Sequence, residues 1–280
     1  MTSASRFSRR HRVVPGDPPG AADLLAKLTG LSKGVVKDAM RKGAVWVSRS
    51  GRAPNRSRRE TATVRPGDVL ELHYDPELLA LRPPEARLVR DAVRWSAWAK
   101  PAGLLSQGTE FGDHASLLRQ VEKTLDREVF LVHRLDREVA GLVLVAHDAA
   151  AAAALSALLR EAKVVKRYRA EVIGDVAARR GTEGVVDEPI EGKPARTTYR
   201  VVARDAERDT TTLEVTIETG RHHQIRRHLD AIGHPVLGDP RYGAGNKNRE
   251  GMQLSAVYLA FRDPLTGEVV ELRLPESAAS

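Results

Sequence analysis

The segment His133-Arg134-Leu135-Asp136-Arg137 places one carboxylate between two guanidinium groups. It runs almost at once into an apolar stretch, Gly141-Leu142-Val143-Leu144-Val145-Ala146. A strand enters, a charged loop holds the carboxylate, and a buried strand leaves. Neighbouring positive charge favours the ionised form of a carboxylate. Asp136 is therefore suited to attack an electrophile or remove a proton, not to donate one. The same charges also suit an aspartate that merely ties down a loop, and the segment alone leaves both readings open. A second constellation is Thr219-Gly220-Arg221-His222-His223-Gln224-Ile225-Arg226-Arg227-His228-Leu229. Gly220 breaks a strand, and the spacing predicts a helix from Arg221 to Ile232 with Ile225, Leu229 and Ile232 on one face. A basic helix N-terminus can bind phosphate or hold a carboxylate. The histidines suggest metal, but the chain has no cysteine and no carboxylate cluster nearby, so no metal is expected. Two further pieces are less specific alone. Lys100-Pro101-Ala102-Gly103-Leu104-Leu105 reads as a rigid turn after a strand. Lys166-Arg167-Tyr168-Arg169-Ala170-Glu171-Val172 reads as a strand whose tyrosine either packs in a core or, in an RNA site, stacks on a base.

In this order and at this spacing the pieces resemble the RluA family of pseudouridine synthases. The family motif H-R-L-D-R-x-T-S-G-L-L-L-x-A aligns with His133 to Ala146, its K-P-A/S-G turn with Lys100 to Gly103, and K-x-Y-x-A-x-V-x-G with Lys166 to Gly174. The motif T-G-R-x-H-Q-I-R-x-H-L-x-x-x-G-x-P-I-x-G-D-x-x-Y-G aligns with Thr219 to Gly243, including Pro235, Gly238, Asp239 and Tyr242. Leu254 to Phe261 and the Pro264-Leu265-Thr266-Gly267 turn match the closing strands. Four ordered motifs carry far more information than one. Three positions depart from the pattern: Val139-Ala140 stand for Thr-Ser, His147 for lysine and Ser255 for histidine.

The resemblance implies an RNA pseudouridine synthase, an isomerase that works without a cofactor. Asp136 becomes the catalytic carboxylate, by attack on the nucleoside or by removal of a ribose proton. Arg226 pairs with it, with Arg221 the second candidate, and Tyr168 stacks on the uracil and relays a proton at C5. Leu254 walls the base pocket, Arg134 fills the stack vacated by a flipped base, and His133 and Arg137 join the RNA contacts. Two rivals remain: a non-catalytic RNA-binding or ribosome-assembly factor on the same fold, and a glycosidase. The glycosidase would want two carboxylates as acid and base, and only Asp136 is convincingly placed.

Elements must position these residues. The spacing predicts strands at Tyr168–Ile173, Thr197–Ala203, Thr211–Thr219 and Glu268–Leu274, and a helix from Asp148 to Ala162. Strands outnumber helices without β-α-β alternation, which points to an α+β fold with a mixed, mainly antiparallel sheet. Residues 91–280 form the expected catalytic domain. Ahead of it, residues 1–20 read as a basic disordered tail, although their arginine content also fits an organelle transit peptide, and 76–90 read as a proline-bearing linker. Between them, 21–75 form a small module with two helices, the second capped by Ser32. The module is similar to the αL-motif RNA-binding domain, with Lys37, Arg41 and Lys42 as RNA contacts.

Charge supports the module independently. The chain has 280 residues and a net charge of +8, yet Met1 to Tyr74 alone hold 15 Lys/Arg against 6 Asp/Glu. The excess lies in the first quarter, as expected for a region that meets a polyanion. The module favours ribosomal RNA over tRNA as substrate. No apolar run is long enough to cross a bilayer, and a cytoplasmic monomer without membrane, metal or disulfide is expected.

Overall fold

The computed structural model describes residues 5–49 and 51–275. They divide into two compact units, Met1–Pro83 with Gln107–Lys123, and Pro84–Ser106 with Thr124–Ser280.

The first unit contains β1 (Phe7–Arg12), α1 (Ala21–Thr29), α2 (Lys33–Arg41), β2 (Val45–Ser48), β3 (Asn55–Arg56), β4 (Val69–Tyr74), α3 (Pro76–Ala80) and most of α4 (Leu117–Leu125). Its four-stranded antiparallel sheet has the order β1-β4-β2-β3. Leu24, Leu25, Val36, Met40, Val45, Leu70 and Leu72 are fully buried together, each contributing roughly 1.5–3 kcal/mol of transfer free energy. Ser32 caps α2 as expected, accepting from Val35 N–H at 3.3 Å.

Three sequence expectations need correction. Within the expected tail, Phe7–Arg12 is an edge strand paired to β4, Phe7 packs on Tyr74 with ring centroids 5.4 Å apart, and Val13 is buried. Strand pairing satisfies the backbone while the arginines stay in water, so the polarity that suggested disorder marks only an exposed face. The expected linker is also structured: Asp75 caps α3 and Leu79 is buried. Its last residues begin β5 (Arg87–Asp91), which pairs with β6 (Trp95–Lys100). The expected single catalytic stretch 91–280 is interrupted as well, because 107–123 belong to the first unit. There the Trp46 indole donates to the Glu110 carbonyl at 3.1 Å, and Phe111 meets the His73 ring edge-on at 5.5 Å.

The second unit adds β7 (Phe130–Leu131), β8 (Ala140–Ala146), α5 (Ala149–Arg160), β9 (Val165–Ile173), α6 (Val176–Arg180), β10 (Glu183–Asp187), β11 (Arg196–Asp205), β12 (Thr210–Ile217), α7 (Gln224–Ala231), β13 (Leu254–Arg262) and β14 (Val269–Arg273). The sheet order is β10-β11-β12-β9-β13-β8-β6-β5, with β14 on β13 and β7 on β8. All pairings are antiparallel except β13 with β8. At that parallel join Gly141 has φ +126°, and a Cβ there would collide with the Ala256 backbone, so only glycine lets the strands approach. Trp95, Leu142, Leu144, Leu155, Leu259 and Phe261 fill the core, and the Trp95 indole is satisfied by Asp263 at 2.8 Å. Among the described residues no helix is long and apolar enough to cross a membrane.

Candidate active site

Three central strands and one helix converge on Asp136. The carboxylate lies in the loop entering β8, Tyr168 sits on β9, Leu254 opens β13, and Arg226 lies in the first turn of α7. The loop is held from below by the Lys100–Ser106 segment. Ser106 Oγ donates to the Leu135 carbonyl at 2.7 Å and accepts from Leu135 N–H at 3.0 Å. Gly103 N–H donates to the Arg137 carbonyl at 2.7 Å. The buried Lys100 Nζ donates to the carbonyls of Leu104 (2.7 Å), Pro101 (3.2 Å) and Arg137 (3.3 Å). The lysine-proline turn, uninformative alone, is thus the cradle of the aspartate loop. Val139 closes the loop through its backbone, donating to the Asp136 carbonyl at 3.2 Å, while its side chain is buried. The departure from Thr-Ser therefore leaves the turn intact.

Burial lowers the Lys100 ammonium to about 7, against the pull of Glu138 and Asp136. The unfolded chain binds this proton up to about pH 10.5 and the folded chain only up to about 7, so the stabilisation is full above the upper value and lost as pH falls through the lower. Wild-type stability is expected to rise between pH 7 and 9 relative to Lys100→Met. Urea denaturation of both proteins across that range checks this, and parallel curves would contradict it.

Arg226 joins two carboxylates. Its Nη1 donates to Asp136 Oδ2 at 3.0 Å, while Nε and Nη2 grip Asp239 at 2.6 and 2.8 Å. Asp239 is 1% exposed and also accepts the backbone N–H groups of Arg241 (2.8 Å) and Tyr242 (3.1 Å). Burial disfavours the guanidinium charge, but the bonds to Asp239 and Asp136 outweigh it and hold its pKa above the usual arginine value. Burial likewise raises Asp239, and Arg226 with the two backbone donors brings it below the usual carboxylate range. His223 Nε2 lies 3.5 Å from Asp136 Oδ2, and its Nδ1 lies 3.1 Å from the Tyr242 hydroxyl. Burial depresses the His223 pKa, with Asp136 opposing and Arg226, His222 and Arg241 reinforcing. His223 has φ +56°, so regular helix starts at Gln224 and not at Arg221. The Gln224 amide secures the turn, accepting from Thr219 Oγ1 and donating to the Arg196 carbonyl.

Asp136, Val139, Tyr168, Arg221, Arg226 and Leu254 line an open cleft of about 90 Å³, roughly three water volumes. Burial, then the Asp136 carboxylate, pushes the Tyr168 phenol well above its ordinary value, so it is a donor and a flat surface, not a base. Tyr168→Phe is expected to hold RNA within about threefold of wild type, whereas Tyr168→Ala loses roughly 1–3 kcal/mol of stacking. Fluorescence anisotropy with labelled RNA measures both, and equal losses would contradict stacking.

The other expected site residues divide between the cleft and places away from it. Arg134 is exposed and lines the cleft, and Arg221 lines it while donating to the Pro194 carbonyl at 3.1 Å. Arg137 turns to the Gly103 carbonyl at 3.2 Å. Neither arginine flanking Asp136 in sequence forms an ion pair with it; Arg226 supplies the cation. His133 is structural: its Nε2 accepts the Leu144 N–H at 3.1 Å, and burial, with Lys166 nearby, lowers it to about 4. Lys37, Arg41 and Lys42 lie on the first unit, paired with Glu60 and Asp38. Lys100, Ser106, His223 and Asp239 were not expected at the site. Asp239 lies inside a matched motif, which is the one signal that marked it.

Comparisons with known proteins identify the family and the fold. Residues 94–231 match the RNA pseudouridylate synthase family. A protein of Chloroflexus aurantiacus named an uncharacterized RNA pseudouridine synthase is 32% identical, over 94% of this chain and 90% of its own. The ribosomal large subunit pseudouridine synthase D of Nitrosomonas europaea is 36% identical over 64% of this chain and 51% of its own. Among solved structures, human RNA pseudouridylate synthase domain containing 1 shares the fold, with a TM-score of 0.59 at 24% identity over 70% of this chain and 86% of that one. The chain belongs to the RNA pseudouridylate synthase family, whose members are isomerases.

Proposed function

We propose that this chain converts particular uridines of ribosomal RNA to pseudouridine, with Asp136 as the catalytic carboxylate. The observation that carries the reading is the Asp136 carboxylate, fixed by the buried Arg226 in a cleft walled by Tyr168 and Leu254. The reaction breaks N1–C1′, turns the uracil and forms C5–C1′; C5 then releases its hydrogen and N1 acquires one. Asp136 serves either by adding to the nucleoside or by taking a ribose proton, and both routes use the carboxylate form. The target base leaves its stack to reach so small a cleft, and the exposed Arg134 at the cleft fills the gap. Tyr168 stacks on the uracil.

The ribosomal assignment is supported by the name of the Nitrosomonas relative and by the basic first quarter of the chain. A glycosidase reading is disfavoured by Asp239. It is the second carboxylate near Asp136, but it is buried and held by Arg226 and by the backbone N–H groups of Arg241 and Tyr242, so it cannot act as an acid on substrate. Incubating the enzyme with ribosomal RNA tritiated at uridine C5 tests the proposal. Tritium released to water in step with pseudouridine is the expected result, and no release from any ribosomal RNA would leave only an RNA-binding factor.

A further inference from the structure

The basic residues of the first unit fall into two groups with different surroundings. On α2 and beside it the cations are matched by carboxylates. Lys33 meets Asp23 at 2.5 Å, Lys37 meets Glu60 at 3.6 Å, Arg41 meets Glu60 at 2.6 Å and Asp38 at 3.0 Å, and Lys42 meets Asp38 at 2.7 Å. Exposed pairs of this kind hold only about 0–1 kcal/mol each, so RNA could displace them. The carboxylates would nevertheless remain, and would repel an incoming phosphate.

The loop between β2 and β4 is different. It surrounds an open cleft of about 690 Å³ lined by Arg49, Arg52, Arg56, Arg58 and Arg59, with no carboxylate in its wall among the described residues. Two of the five serve as framework. Arg58 and Arg56 face the buried Asp113, and the Arg56 guanidinium lies 4.2 Å from the Trp46 ring centroid while donating to the Gly43 carbonyl. Arg49, Arg52 and Arg59 are exposed and form no ion pair among the described residues; Arg49 makes one long bond, 3.4 Å, to the Thr63 carbonyl. Of the two acids in the loop, Glu60 is engaged by Lys37 and Arg41, and Asp68 is buried and accepts the Arg65 N–H at 3.0 Å. Asn55, Ser57, Thr61 and Thr63 add neutral polar groups to the wall.

We propose that this cleft binds the phosphodiester backbone of RNA, with Arg49, Arg52 and Arg59 as its phosphate contacts. The inference rests on RNA being the substrate and relocates the main electrostatic contact of the first unit from α2 to the arginine loop. Guanidinium is the suitable group, because its planar fork meets two phosphate oxygens at once. Such contacts carry no sequence information; the cleft supplies affinity and leaves the choice of uridine elsewhere.

The test compares full-length proteins carrying Asp136→Asn, which separates binding from turnover. The probe is a labelled 30-nucleotide stem–loop RNA of arbitrary sequence, titrated at several salt concentrations. Arg49→Gln/Arg52→Gln/Arg59→Gln is expected to weaken binding at least tenfold and to reduce the slope of log K against log salt by roughly 2–3, since each phosphate left without its arginine removes about 0.7–0.9. Arg52→Gln alone, an exposed change outside any ion pair, should reduce it by about 1. Lys37→Gln/Arg41→Gln/Lys42→Gln should change both quantities by less than half as much. An unchanged slope in the cleft triple variant, or a larger loss in the α2 variant, overturns the proposal. Polyglutamate competing as well as RNA would overturn it too, in favour of an acidic protein partner. Tritium release by the same triple variant with Asp136 restored separates this failure from failure of the activity itself. Release that persists alongside unchanged binding leaves the synthase standing and the cleft refuted.

Discussion

Asp136→Asn is expected to stop pseudouridine formation while RNA binding stays within several-fold of wild type. The substitution keeps the shape of the side chain and one oxygen for Arg226, so the loop built on Ser106, Lys100 and Gly103 has no reason to move. What is lost is a negatively charged oxygen able to bond to carbon or to take a proton, and either use requires it. A fall of about four orders of magnitude, roughly 5–6 kcal/mol of transition-state stabilisation, is the scale for the reacting group itself. Tritium release and anisotropy on one preparation measure both quantities. Turnover persisting at a tenth of wild type would remove Asp136 from the chemistry and favour the RNA-binding reading of the fold.

Arg226 should be the next most sensitive position, and its loss should show in stability as well as rate. Its guanidinium is 2% exposed and holds Asp239 through two bonds and Asp136 through a third. Arg226→Lys keeps the charge but cannot span all three bonds. A displacement of Asp136 by about an ångström is enough for a hundredfold loss of kcat, with KM little changed. Arg226→Gln leaves Asp239 buried without a cation, which costs roughly 3–5 kcal/mol of folding stability. Adding Asp239→Asn to Arg226→Gln should recover part of that stability but none of the rate, because it removes the stranded charge without restoring the partner of Asp136. Denaturant unfolding and single-turnover kinetics on the four proteins settle the matter; recovery of rate in the double variant would contradict the arrangement.

Local pattern carried much of this into view. The helix over 149–160, the buried strand ending at Ala146 and the hairpin turn at Asp263–Gly267 follow from apolar periodicity, an aspartate cap and turn chemistry, all written within a few residues. The pairing of Asp136 with Arg226 spans 90 positions, and only the resemblance joined them. From charge alone Arg134 and Arg137 were the obvious partners, yet Arg134 is exposed at the cleft and Arg137 turns to the Gly103 carbonyl. β1 was hidden for a related reason. Its burial is sparse, and it is held by backbone pairing to a strand whose sequence lies some sixty residues away, which no composition window can register. His133 shows the converse. It sits inside the motif but turns its ring to a strand backbone, a bond that membership of the motif did not signal.

The return of residues 107–123 to the first unit also fixes an order of events during synthesis. When Pro83 leaves the ribosome, the first unit still lacks Asp113, the counterion of Arg56 and Arg58, and Phe111, which covers His73. Those residues arrive only after β5 and β6 have been made, a matter of seconds at about 5–20 residues per second. Through that interval Arg56 and Arg58 stand without Asp113, beside a ribosome made largely of RNA. Arg56 and Arg58 are therefore open to an outside anion until Asp113 arrives, and no single cut in the chain yields the first unit complete.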